Sequence, residues 1–142
     1  MGNKMYWLLI ISMFCFSIIG CTTVAYAPAT LYDPDHAVMK LEEALKSESP
    51  TRFRIREFSV DKQGVSIKCV SSLNNQYYDV SFSYANVSSI ERYQDPLGLT
   101  PTELTINLVY GTPLKIELRC AEVFKDVVLS LKCYNLAQRD KK

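Results

Sequence analysis

The sequence predicts an α+β fold with an N-terminal helix, a bent antiparallel sheet or partial barrel of about six strands, and a C-terminal closing helix. Apolar residues recur at helical spacing from residue 34 to residue 46 and again from residue 121 to residue 137. Between these segments, residues 53 to 120 alternate between apolar and polar, which is typical of strands with one buried face. The chain has 142 residues, 48% of them apolar, which is enough material for one domain.

The first helix has a start signal and a stop signal in the sequence. Asp33 can cap its N-terminus, Pro34 suits the first helical position, and Asp35 lies near the positive end of the helix dipole. Pro50 follows soon after Lys46 and prevents the helix from continuing. The predicted buried face consists of Ala37, Leu41, Ala44 and Leu45.

Clusters of turn-forming residues separate the predicted strands. These turns fall at residues 61–64, 74–75, 95–101 and 111–113. In the first strand the alternation slips by one residue, which predicts a β-bulge near Arg56 and Glu57. Four rows of side chains are expected to point inward from the later strands: Val65, Ile67 and Cys69; Tyr78, Val80, Phe82 and Tyr84; Leu104, Ile106, Leu108 and Tyr110; Leu114, Ile116, Leu118 and Cys120.

The N-terminal segment has the pattern of a secretory signal. A start that contains Lys4 precedes fifteen uncharged residues, from Met5 to Ile19. The run ends in Ile18-Ile19-Gly20-Cys21, which resembles the lipobox of bacterial lipoproteins. This resemblance implies a signal peptide at residues 1–20, cleavage before Cys21, and attachment of diacylglyceryl and acyl chains such as palmitate to that residue. Several acyl chains on one residue would anchor the protein firmly in a membrane.

Two other interpretations of this segment compete with the lipobox. The uncharged run continues to Tyr32, which is long enough for a spanning helix, but Gly20 and Pro28 make its second half a poor helix. Ala25-Tyr26-Ala27 also fits an ordinary signal peptidase site, although Pro28 directly after it should make that bond a bad substrate. All three interpretations place the domain outside the cytoplasm.

The lipobox divides the chain into a signal peptide at 1–20, a lipidated tether at 21–32 and a single α+β domain at 33–142. Thr22 rather than Asp follows the lipidated residue, so lipoprotein sorting implies the outer membrane, facing the periplasm, if the host has two membranes. Removal of the signal peptide leaves fifteen basic and fifteen acidic residues. This balance argues against a nucleic-acid partner.

The predicted domain resembles pleckstrin-homology-like domains, in particular their bacterial and GRAM-type members. The similarity lies in the strand and aliphatic step of Phe82 to Ile90, the hairpin from Leu104 to Cys120 and the long helix that follows. It covers residues 52 to 136 and leaves the helix at residues 34–46 as an addition. In lipid-binding members a basic first hairpin holds phosphorylated headgroups. Here that turn contains Asp61, Lys62 and Gln63, so the headgroup site is not carried over.

Basic residues on the first strand form one candidate binding surface. Arg52, Arg54 and Arg56 share a strand face, and Lys68 could lie across from them. Such a face could bind anionic lipid headgroups or acidic glycans. The alternative is a solvated outer face, partly neutralised by Glu57 and Asp61.

The C-terminal helix carries a second apolar stripe, formed by Leu129, Cys133 and Leu136. These residues lie opposite the main apolar face, so the helix is expected to be buried on two sides. The stripe could be a contact surface for a protein partner, or it could pack against the first helix through Leu41 and Leu45.

The cysteines and the single histidine offer little for catalysis. Cys69 and Cys120 could form a disulfide if their strands are neighbours or face each other, or they could remain as two small buried side chains. His36 is expected at the surface, and the positions of the cysteines and His36 do not match a metal-binding motif. No cofactor is expected.

The sequence therefore predicts a lipid-anchored protein of the cell envelope with a non-catalytic interaction or scaffold domain and an envelope protein as partner. The alternative is a binding module for an amphiphile, a lipid headgroup or an envelope glycan.

Overall fold

The computed structural model describes residues 21–50 and 52–142 and has an α+β architecture. The signal peptide predicted at residues 1–20 lies outside the described residues. The elements in chain order are β1 (Cys21–Ala25), α1 (Pro34–Lys46), β2 (Phe53–Val60), β3 (Gly64–Ser71), β4 (Tyr77–Ser83), a 3-10 turn (Tyr84–Asn86), β5 (Val87–Gln94), β6 (Thr102–Leu108), β7 (Leu114–Leu118) and α2 (Ala121–Arg139).

The strands form two antiparallel sheets rather than one bent sheet. One sheet has the order β1-β5-β6-β7 and the other the order β2-β3-β4, and the two do not close into a barrel. The chain passes from one sheet to the other at the 3-10 turn, where Tyr84 was expected to continue the strand. Its amide donates a hydrogen bond to the Gln63 carbonyl instead, and its ring is fully buried.

The segment predicted as a tether contains strand β1, which pairs along β5 with Cys21 opposite Gln94 and Ala25 opposite Ile90. The helix predicted as the N-terminal element is therefore preceded by a strand. Five residues are too few for alternation to appear in the sequence, although threonine and valine both favour strands. The span and cap of the helix itself are confirmed, since the Asp33 carboxylate accepts a hydrogen bond from the His36 amide.

The core lies between the two sheets and the two helices. Helix α2 packs against α1, β5 and β6, while α1 also contacts β2. The largest fully buried side chains come from every layer and include Leu41, Ile67, Tyr84, Ile106 and Phe124. Complete burial of one such aliphatic side chain stabilises the fold by about 1.5–3 kcal/mol.

The predicted bulge in β2 is confirmed. Ile55 pairs with Cys69 and Glu57 pairs with Lys68, so Arg56 has no partner in the register. Two other predictions for the strands are wrong, because Tyr78 is partly exposed and Tyr110 is exposed. β6 ends at Leu108, and Tyr110 lies in the following turn, where its amide donates to the Asn86 side chain.

Candidate interaction cleft

A cleft separates the edges of the two sheets where β2 and β7 approach each other. Among the described residues, β3 is the strand that pairs with β2 and β6 is the strand that pairs with β7, so β2 and β7 are outer strands of their sheets. Two adjoining cavities, of about 330 and 110 Å³, are both lined by Phe53 of β2 and by Ile116 and Glu117 of β7. We call this feature the edge cleft. The larger cavity is lined by Arg52, Phe53, Ser71, Leu73, Asn74, Tyr78, Glu103, Lys115, Ile116 and Glu117.

Opposite charges are paired across the edge cleft. Arg52 donates through Nε to Glu117 Oε2 at 3.3 Å and forms a second contact through Nη2. The Glu117 side chain is only 6% exposed, whereas Arg52 is 60% exposed. The hydrogen bond and charge of Glu117 raise the pKa of Arg52, so the guanidinium stays charged. A second pair lies within the four-stranded sheet, where Lys115 of β7 and Glu103 of β6 are 3.5 Å apart.

The three-stranded sheet lines the edge cleft with apolar and aromatic side chains. The Phe53 and Tyr78 rings meet edge to face, with centroids 5.5 Å apart. Leu73, in the turn between β3 and β4, is 82% exposed, and Tyr78 is partly exposed. Exposed tyrosine and leucine next to paired charges are typical of surfaces that bind protein.

Glu48 closes the end of the smaller cavity. Its carboxylate accepts hydrogen bonds from the backbone amides of Arg119 and Cys120, which precede α2. A carboxylate at this position also interacts favourably with the N-terminal end of the helix dipole. The contact fixes the segment after α1 against the end of β7.

The four basic residues of the predicted anionic-ligand face do not form one surface in the structure. Arg52 turns into the edge cleft, and Lys68 forms a surface ion pair with Glu57 at 3.3 Å. Arg54 and Arg56 remain together at the surface, where they line a shallow concavity of about 210 Å³ with Ser71, Ser72, Val70 and Asn75.

The apolar stripe on α2 is not an open surface. Leu129 is fully buried and Cys133 is half-buried, while Leu136 is 39% exposed. Leu129 belongs to the same buried cluster as Leu41 and Leu45, and α2 packs against α1. The alternative interpretation, in which the first helix covers the stripe, therefore fits the structure at Leu129.

Cys69 and Cys120 are free thiols in the structure. Burial raises the pKa of Cys69 to about 11. Burial, together with a hydrogen bond to Glu48 and its charge, raises the pKa of Cys120 to about 12. Both thiols stay protonated at neutral pH, which makes them poor nucleophiles.

The described part of the chain contains no cluster of three or more His, Cys, Asp or Glu side chains placed to hold a metal ion. Neither of its α-helices is long and apolar enough to cross a bilayer. The chain matches none of the protein-family models, curated proteins or solved structures with which it was compared.

Sequence reasoning missed Glu117 and Glu48, the two carboxylates that organise the edge cleft. Glu117 alternates with apolar residues in β7 and was expected on the outer face, with Lys115. Nothing local in the sequence indicates that Arg52, sixty-five positions earlier, comes to lie beside it.

Proposed function

We propose that this protein is a lipid-anchored component of the cell envelope whose domain binds another protein along the edge cleft. The observation that carries this proposal is the pair of outer strands, β2 and β7, whose edges border one cleft. An extended segment of a partner can add to such an edge through backbone hydrogen bonds, with specificity from the neighbouring side-chain pockets.

The charge pattern of the edge cleft favours a protein over a simple anion. Arg52 and Lys115 are matched by Glu117 and Glu103, so the cleft offers no excess of positive charge. The exposed Leu73 and the partly exposed Tyr78, which both line the larger cavity, supply apolar area at the rim. Mixed polar and apolar contacts of this kind suit a peptide segment.

We further propose that the domain is a variant of the pleckstrin-homology-like fold. The two consecutive three-stranded meanders, β2-β3-β4 and β5-β6-β7, followed by the closing helix α2, support this assignment. β1 and α1 are additions to that arrangement. The fold would not by itself specify the ligand.

The anchor is proposed from the sequence. Ile18-Ile19-Gly20-Cys21, after an uncharged run of the right length, supports removal of the signal peptide and acylation of Cys21. In a host with two membranes, Thr22 supports the outer membrane and a domain that faces the periplasm.

A second candidate function is recognition of an anionic ligand, and the pairing of Arg54 with Arg56 in one concavity favours it. Charge reversal by Arg54→Glu would then weaken binding to vesicles that contain phosphatidylglycerol. A protein-binding domain would keep its partner in this variant.

Site-specific photocrosslinking in the native host tests the proposed edge cleft. A photoreactive amino acid at Tyr78 should give a discrete adduct with one protein, and the Leu73→Asp substitution should abolish that adduct without changing the unfolding temperature. The matched control is Met39, which is exposed on α1, outside the cleft. Equal adducts from both positions, or none from Tyr78, would contradict the proposal.

A further inference from the structure

Strand β1 brings the proposed lipid-bearing residue directly to one loop of the domain. Cys21 pairs with Gln94, the last residue of β5, and Thr22 pairs with Tyr93. The next residues, 95–101, form the loop between β5 and β6. The first residue of the proposed mature chain is therefore part of a sheet, at the end where this loop emerges.

The loop itself is apolar, uncharged after its first residue and exposed. Its sequence from residue 96 to residue 101 is Pro-Leu-Gly-Leu-Thr-Pro. Leu97 is 76% exposed and Leu99 is 79% exposed. Asp95 shapes the turn, because its side chain accepts a hydrogen bond from the Leu97 amide and its carbonyl accepts one from Gly98.

The distance from the anchor to the loop is short. Paired Cα atoms in an antiparallel ladder lie about 5 Å apart. Leu97 is the third residue after Gln94, which adds at most about 11 Å even for extended chain. Leu97 thus lies within about 16 Å of Cys21, without a flexible tether between the anchor and the sheet.

We propose that the β5–β6 loop inserts into the lipid surface and acts as a second membrane contact that fixes the orientation of the domain. This inference rests on the proposed acylation of Cys21. An acyl anchor holds Cys21 at the membrane surface, and the pairing of β1 with β5 brings Leu97 and Leu99 to the same surface. Tyr93, partly exposed beside Thr22, has the amphipathic side chain typical of the membrane interface.

The opposite end of the same sheet provides an internal control. The turn between β6 and β7 also exposes a large side chain, Tyr110, which is 81% exposed. β6 runs from Thr102, next to the loop, to Leu108, next to this turn. The proposal therefore places Tyr110 away from the lipid.

Tryptophan fluorescence can test this orientation without background signal. The chain has one tryptophan, Trp7, which lies in the proposed signal peptide. The experiment uses full-length protein expressed with its signal, extracted from membranes and reconstituted into phosphatidylethanolamine–phosphatidylglycerol vesicles with brominated acyl chains. The Leu97→Trp and Leu99→Trp variants are compared with Tyr110→Trp. All three positions are exposed, so circular dichroism should show native folding.

The expected result is a blue-shifted emission that is strongly quenched by brominated lipid for Leu97→Trp and Leu99→Trp, and an unquenched, water-like emission for Tyr110→Trp. Equal emission from both ends of the sheet would overturn the inference. A blue shift without quenching would also overturn it, since the loop would then be buried against protein.

Intact mass and vesicle flotation of the same samples separate this inference from the proposed anchoring. An acylated protein that floats with vesicles but shows no quenching at Leu97→Trp would leave the anchor in place and overturn the membrane contact. A protein without acyl chains that does not float would overturn both.

Discussion

The two sheets of this domain differ in how completely they are covered. In the four-stranded sheet, Ile90, Leu104 and Ile106 are fully buried beneath α2. In the three-stranded sheet Ile67 of β3 is also fully buried, but no residue of the outer strand β2 is, and β2 lines the edge cleft. A strand with little buried apolar surface contributes little to global stability and is free to make contacts.

This difference suggests a division of roles within one small domain. The four-stranded sheet carries the residue proposed to be lipidated, and under this proposal it is the stable base at the membrane. Under the same proposal, the three-stranded sheet presents β2 and the β3–β4 turn to a protein partner. Outer strands also invite aggregation, and the charged residues Arg54 and Arg56 on β2 are typical protection against it.

A matched pair of isoleucine substitutions, one in each sheet, should show this difference in burial most clearly. Ile106→Ala in β6 removes a fully buried side chain, and we expect a loss of about 3–4 kcal/mol in the free energy of unfolding. Ile55→Ala in β2 removes a half-buried one and should cost about half as much or less. Urea denaturation measures both, and equal losses would break the comparison.

Gly64 tests how tightly the three-stranded sheet is packed at its other end. A Cβ at this position would meet the Phe82 carbonyl oxygen at 2.8 Å, which is backbone and cannot move freely. Gly64→Ala should therefore cost about 1–3 kcal/mol. Ser83→Ala, at the exposed position paired with Gly64, should change stability by less than about 0.5 kcal/mol. A tolerated Gly64→Ala would show that the β3–β4 pairing is looser than described.

Loss of each of the two ion pairs of the edge cleft should change the free energy of unfolding by a different amount, measured by urea denaturation. Arg52→Met leaves the buried Glu117 carboxylate without its partner, so we expect destabilisation, partly reversed when Glu117→Met is added. Lys115→Met, in the more exposed pair with Glu103, should have little effect. Equal changes in the free energy of unfolding for Arg52→Met and Lys115→Met would contradict the expectation that the burial of Glu117 makes its pair the more important one.

The smallest expected effect is on how the free energy of unfolding depends on pH. The folded pKa of Cys69, about 11, lies above the usual thiol value of 9, so its contribution to stability is complete below pH 9 and is lost as pH rises toward 11. In the Cys69→Ala variant, the free energy of unfolding should fall less steeply between pH 9 and pH 11 than in the wild type. Iodoacetamide at pH 8 should spare Cys69 until the chain unfolds, and fast alkylation of Cys69 in the native protein would contradict its burial.

Local patterns in the sequence were enough to predict both helices, most strand positions and the bulge at Arg56. Each of these depends on neighbouring residues, such as the Asp33 cap or the phase slip between Ile55 and Phe58. Strand β1 and the division into two sheets depend on long-range pairing, for which a single sequence contains no signal. For the same reason Arg52 was assigned to an open basic face, although Glu117 holds it in the edge cleft.

The most direct test of the anchoring is the intact mass of the protein extracted from its native membrane, for the wild type and for Cys21→Ser. We expect a mass equal to residues 21–142 plus acyl chains, and its loss in the variant. An unmodified chain that begins at Pro28, or a full-length unmodified chain, would contradict the account of a lipid-anchored domain.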